Sequence, residues 1–197
     1  MCALFQCSLL RPWRALVVML TVILLGIRFA AAEDIVVPLR TQAQLIVKLA
    51  EYDRNLVARP GPRVVLIVRS KTTASSRTAE GIASELGSYD NIAGVAHVEK
   101  VIDFVSAGDL KKRVQSESAQ IVYFCPDFEA QIASIADELT GLTVLSVGAA
   151  PSHPGLGSVV GFDIHSGRTQ LLVNLKQAQR QNVQLHSEFL KIVKVIR

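Results

Sequence analysis

Three apolar runs dominate the pattern of the chain: Arg63–Arg69 (RVVLIVR), Gln120–Cys125 (QIVYFC) and Leu142–Val147 (LTVLSV). Short runs rich in β-branched residues, without polar alternation, predict strands buried on both faces of a sheet. Between them the hydrophobic spacing is helical. Ala43, Leu45, Ile46, Leu49 and Ala50 mark a helix from Thr41, with Arg59-Pro60-Gly61-Pro62 as the breaker that follows. After the loop Ser70–Ser76, Ser75 or Ser76 is the expected N-cap of a helix running to about Leu86. Asn91–Val101 holds a weaker strand, Asp109–Gln115 a short charged helix, and Phe128–Leu139 an amphipathic helix ending at Gly141. Gly148–Gly157 has no periodicity. Val159–Ile164 and Thr169–Val173 predict a hairpin around His165-Ser166-Gly167, and Asn174 with Gln177 predicts a capping box. The helix so capped is expected to bury Leu185, Phe189, Ile192 and Ile196 along one face. Strands alternating with helices predict an α/β fold: a mostly parallel sheet covered by helices on both faces, with a C-terminal antiparallel hairpin strand and a closing helix.

The strongest apolar run lies apart from these elements. Ala15–Ile27 is 13 residues long, short of the roughly 20 that span a bilayer. Arg11 and Arg14 precede it, no acid occurs before Glu33, and Ala30-Ala31-Ala32 supplies small residues at −3 and −1. This is the anatomy of a cleavable secretory signal over residues 1–32, followed by one domain over residues 33–197; the alternative is an uncleaved N-terminal anchor. Both deliver the domain to the exported side, and the expected location is the periplasm. Cleavage changes the charge. The chain carries +4, but Arg11, Arg14 and Arg28 belong to the leader, leaving a near-neutral remainder with scattered basic residues and no nucleic-acid signature. Cys2 and Cys7 leave as well, so Cys125 is expected to stand alone, without an intramolecular disulfide partner.

Catalytic patterns are sparse. His97, His153, His165 and His186 lack the ligand spacing of a metal site, so no metal or cofactor is expected. Ser158 lacks the strand-turn-helix setting of a nucleophile elbow, and Gly155-Leu156-Gly157 with Gly161 precedes a strand where a dinucleotide loop precedes a helix. Cys125 ends an apolar strand and reads as a core residue. No catalytic residue is assigned. The best candidate for ligand binding is geometric, since parallel sheets gather ligands beyond the carboxyl ends of their strands. There Ser70, Lys71, Thr72, Thr73 and Ser75 form a hydroxyl-rich loop before a helix, able to hold a small anion through backbone N–H groups and Lys71, or to serve only as a solvated connection. Pro126-Asp127 and Gly148–His153 follow two further strands at the same end.

The C-terminal third carries a resemblance. Val160-Gly161-Phe162-Asp163-Ile164, Gly167-Arg168, Leu172-Val173-Asn174-Leu175 with Ala178, and Leu185-His186-Ser187-Glu188-Phe189-Leu190 with Ile192 resemble the closing motif of the YfiR-like family of periplasmic proteins. From the residues alone, Gly167 permits the turn, Arg168 follows it, Asn174 caps a helix, and Leu185 and Phe189 bury its face; these are structural roles. The resemblance implies a non-enzymatic regulator that binds the exported part of an inner-membrane signalling protein, typically a diguanylate cyclase, and holds it inactive. Two departures bear on that. Family members with several cysteines form disulfides, which Cys125 alone does not permit, and Tyr52-Asp53-Arg54-Asn55 replaces an aromatic-rich end of the first helix. Alternative readings are a small-ligand-binding domain similar to one lobe of a solute-binding protein and, more remotely, a hydrolase.

Overall fold

Strand β1 occupies Arg63–Arg69, the residues of the first apolar run, and pairs on both sides. The structure, a computed structural model, describes residues 37–196; the expected leader lies outside them. Helix α1 (Leu39–Glu51) and the single turn α2 (Arg54–Val57) precede β1. They are followed by α3 (Thr73–Leu86), β2 (His97–Asp103), α4 (Ala107–Ser116), β3 (Ile121–Phe124), α5 (Ile132–Glu138) and β4 (Leu145–Gly148). The chain continues through α6 (His153–Leu156), β5 (Val160–His165), β6 (Arg168–Asn174), α7 (Leu175–Arg180), α8 (Ser187–Leu190) and β7 (Lys194–Ile196). Among the described residues the strands form one sheet in the order β2-β1-β3-β4-β5-β6-β7. All neighbours are parallel except the hairpin β5-β6. The expected α/β fold, mostly parallel with an antiparallel hairpin, is what the chain adopts.

Side-chain alternation along β1 divides the core. Val65 and Ile67 face the layer of α1 and α3, against Ile46, Leu49, Ala79 and Ile82. Leu66 and Val68 face α4 and α5, against Leu110, Val114, Ile132 and Ile135. Because β2 lies on one side of β1 and β3 on the other, the strand order reverses there, and the carboxyl ends of β1 and β3 form the switch point at which such sheets place their ligands.

Four local expectations need correction. The N-cap of α3 is Thr72, in place of Ser75 or Ser76: its extended backbone lets Oγ1 accept the Ser75 N–H at 3.1 Å. The first helix is interrupted after Glu51, where the buried Asp53 caps α2 by accepting the Asn55 N–H. Gly148–Gly157 contains α6, which packs closely because Gly148 and Gly161, directly paired across β4 and β5, have no side chains. A Cβ on Gly148 would meet His153 and one on Gly161 would meet Pro154. Last, the closing helix is not continuous. Asn174 caps α7 as expected, its Oδ1 accepting the Gln177 N–H at 2.9 Å. Gln177 does not close the box, because its amide donates to the Ala136 carbonyl and the Asn174 N–H donates to Val159. The helix ends at Arg180, Asn182 turns through left-handed space (φ 51°), and the chain becomes a strap that crosses to the end of α1 before forming α8 and β7. The hairpin is therefore internal, and β7 is the edge.

The strap has a stated cause. Arg54 N–H donates to Gln184 O and His186 N–H to Tyr52 O, both at 3.0 Å, while the Asp53 carboxylate accepts the Gln184 N–H. These bonds replace helical ones, so local periodicity yields to tertiary partners.

Candidate functional site

The switch point beyond β1 and β3 carries short polar side chains, each placed by a turn. The Ser70 N–H donates to Ser75 Oγ at 2.9 Å, folding the loop onto the first turn of α3. Thr72 Oγ1 accepts the Ser75 N–H and donates to Asp127 Oδ2 at 2.7 Å, so the 3.1 Å contact with Ser70 Oγ has Ser70 as donor. Asp127 is held for this in left-handed space (φ 73°), which Asp tolerates better than most residues. The structure thus joins Ser70, Thr72 and Ser75 in one network with Asp127. Lys71 and Thr73 are exposed beside it, and Ser75 is buried with its hydroxyl engaged. A carboxylate stands where an anion would approach Thr72, so the arrangement offers hydrogen-bond acceptors more than an anion cradle.

Cys125 lies beneath this network, fully buried, and burial pushes its thiol up to about 12, against opposing effects from Ser75 and Arg69. At neutral pH it is a protonated core thiol, not a nucleophile. At the end of β4, His153 is buried with neither ring nitrogen hydrogen-bonded, its Nε2 standing 3.5 Å from Glu129 Oε1. Burial pulls its pKa down; the Glu129 carboxylate first, and Asp127 after it, oppose that shift. Ser152 Oγ donates to the same Glu129 oxygen at 3.4 Å. Sequence reasoning set Asp127 and His153 at the same end of the sheet but did not pair His153 with Glu129, because the two converge from separate segments. The usable signal was the pair of small residues, Gly148 and Gly161, that lets α6 approach.

The other histidines have ordinary settings. His97 bonds Glu99 and the Tyr89 carbonyl, His165 is exposed beside the hairpin turn, and His186 N-caps α8. Ser158 is buried and donates to Val160 O. Among the described residues no three His, Cys, Asp or Glu side chains are grouped to hold a metal ion.

The motif residues lie elsewhere. Ser166 and Gly167 both take positive φ (50° and 73°), a two-residue hairpin turn, and exposed Arg168 starts β6. Asn174 caps α7 and also donates to Pro154 O at 2.8 Å, tying the end of β6 to α6. Leu185 bridges to Asp53, and buried Phe189 stacks on Tyr52 with ring centroids 5.1 Å apart. Tyr52 and Asp53 therefore anchor the strap.

Comparison with solved structures finds proteins of similar fold. The chain is similar to the ABC domain in complex with L-Trp from Streptococcus pneumonia (TM-score 0.57, 13% identity, 78% of this chain and 62% of that one). It is also similar to a conserved domain protein from Vibrio cholerae (0.53, 14%, 83% and 61%). A third is a ligand-free, open substrate binding protein with adhesive properties from Clostridium difficile (0.55, 12%, 78% and 59%). The chain spans about three fifths of each, and the likeness is one of fold. Comparison with curated proteins returned no match. The family profile described as YfiR/HmsC-like matches residues 40–194, nearly all of the described chain and including every motif residue from Gly167 to Phe189, and the protein belongs to that family.

Proposed function

We propose that this protein is a non-enzymatic periplasmic regulator that binds the exported domain of an inner-membrane signalling protein, such as a diguanylate cyclase, and modulates its activity. The observation that carries the reading is family membership across residues 40–194. Two features support it. The groups with chemical potential are engaged or sequestered: Cys125 is a buried thiol, His153 has no access to solvent, the Ser70 hydroxyl bonds that of Thr72, the Thr72 hydroxyl donates to Asp127, and Ser75 Oγ accepts the Ser70 N–H. No helix among the described residues is long and apolar enough to cross a membrane. The test is crosslinking of the tagged protein in native membranes, followed by mass spectrometry and assay of the captured protein's output. A membrane protein with an exported sensor segment, whose output rises when this protein is deleted, is the expected result. Crosslinks to soluble proteins alone would overturn it.

A second reading, a small-ligand site at the switch point, is favoured by the exposed Lys71 and Thr73 beside the Ser70–Thr72–Asp127 network. Asp127 favours a ligand bearing hydroxyl or amino donors over an anion. A thermal-shift screen of such metabolites tests it; a ligand at 100 times its Kd adds about 2.7 kcal/mol, and no shift across the screen would exclude it.

A further inference from the structure

Among the described residues, the opposite end of the sheet holds a charge without a counter-charge. Arg63 opens β1 and is 0% exposed. Its Nη1 donates to the Arg59 carbonyl at 2.8 Å, but Nε and Nη2 are buried with no partner. Leaving donors of a buried cation unmet costs several kcal/mol, so such groups are normally paired. The neighbouring charge that acts on Arg63 is Arg59, of the same sign, whose own Nη1 donates to Thr143 O at 3.0 Å. Burial and that neighbour pull the Arg63 pKa down, the direction expected of an uncompensated cation.

The two unmet atoms have a specific geometry. Nε–H and one Nη2–H of a guanidinium point the same way in parallel, the fork that takes the two oxygens of a carboxylate or oxyanion. A second unsatisfied group lies at the same end: Gln181, fully buried, has neither side-chain amide atom bonded, and its backbone carbonyl accepts the Val144 N–H next to Thr143. The cover is thin. Pro60, Gly61 and Pro62 are exposed, and nothing lies within 4 Å of where a Gly61 side chain would start. This loop folds back on the guanidinium through the Arg63–Arg59 bond.

We propose that Arg63 is the receptor of a small-anion site at the amino-terminal end of the sheet, taking a carboxylate or oxyanion of a few atoms on its Nε/Nη2 fork beneath the Arg59–Pro62 loop. The site is separate from the switch point, and the proposal stands whether or not the regulator reading does.

Acetate is the probe, at constant ionic strength made up with chloride. In the purified protein, the Arg63 Nε–H resonance, assigned by its loss in Arg63→Met, shifts saturably as acetate is added. At about 100 times the dissociation constant the melting temperature rises by roughly 5–10 °C. Arg63→Met melts no lower than the parent in chloride, because it removes an unpaired buried charge, and does not respond to acetate. Arg63→Lys keeps the charge without the fork and binds at least 10-fold more weakly. An equal rise in parent and Arg63→Met would mean general salt exclusion and overturn the proposal, as would an Arg63 resonance unmoved by acetate. Should the variants fail to fold, through-bond assignment of the Arg63 side chain in the isotope-labelled parent identifies the same resonance, and its titration decides.

Discussion

The two ends of the sheet solve the problem of buried polar groups in opposite ways. At the carboxyl end, short side chains from adjacent turns satisfy one another: Ser70 with Thr72, Thr72 with Asp127, Ser75 with the Ser70 backbone. The group left unpaired there, His153, is one that becomes neutral by losing a proton. At the amino end the polar groups are long or charged and their partners distant in sequence: Asp53 holds Gln184, Gln120 clasps the Val64 N–H, and Arg63 keeps two of its three guanidinium nitrogens idle. Arginine cannot discard its charge near neutral pH. One end can relieve its unpaired group by giving up a proton; the other leans on the strap and, on the proposal above, would be relieved by an anion.

The contrast is tested first where the amino end depends on the strap. Phe189→Ala empties the buried place against Tyr52 and is expected to cost about 3–5 kcal/mol in urea unfolding; a loss under about 1 kcal/mol would mean the strap is only draped. Asp53→Ala leaves the Asn55 and Gln184 N–H groups without their acceptor, an expected loss of about 2 kcal/mol, with Asp53→Asn recovering part of it. At the carboxyl end, Thr72→Ala removes the cap of α3 and the Asp127 contact, for about 1 kcal/mol. The smallest effect expected is that of pH. Because the folded His153 pKa is lowered from 6.5 by burial, the unfolded chain binds the proton more readily. Its contribution is present above pH 6.5 and is lost as pH falls towards the folded value. His153→Leu flattens that acid limb of the unfolding-midpoint curve; an unchanged slope would remove the proton-exchange half of the contrast.

The sequence pattern was most informative where neighbours in the chain are also neighbours in the fold. Continuous apolar character located β1 to the residue, and Ser166-Gly167 located the hairpin, because a central parallel strand and a two-residue turn each leave a local signature. The strap left a misleading one. Leu185, Phe189 and Ile192 repeat at helical spacing, yet Phe189 is buried in a single turn and Ile192 is 75% exposed. The backbone of Gln184 and His186, on either side of Leu185, is committed to Arg54 and Tyr52, which no window of neighbouring residues contains. The carboxyl-end site was half legible for the same reason: the hydroxyls of Ser70–Ser75 cluster in sequence, while Asp127 is 55 residues from Thr72. Arg63 was legible only as the first letter of a strand, since nothing local separates a buried arginine at a strand end from a solvated one.

The bond between Asp53 and Gln184 joins residues 131 apart, and this separation has a kinetic meaning. The cap acceptor of α2 and the group that shares it lie at opposite ends of the described chain, with six of the seven strands between them. Closing so long a loop carries a large entropic cost and places its contacts late in folding. Variants of the strap should therefore hasten unfolding while leaving the refolding rate nearly unchanged, making the last-fastened part of the molecule the guardian of its lifetime.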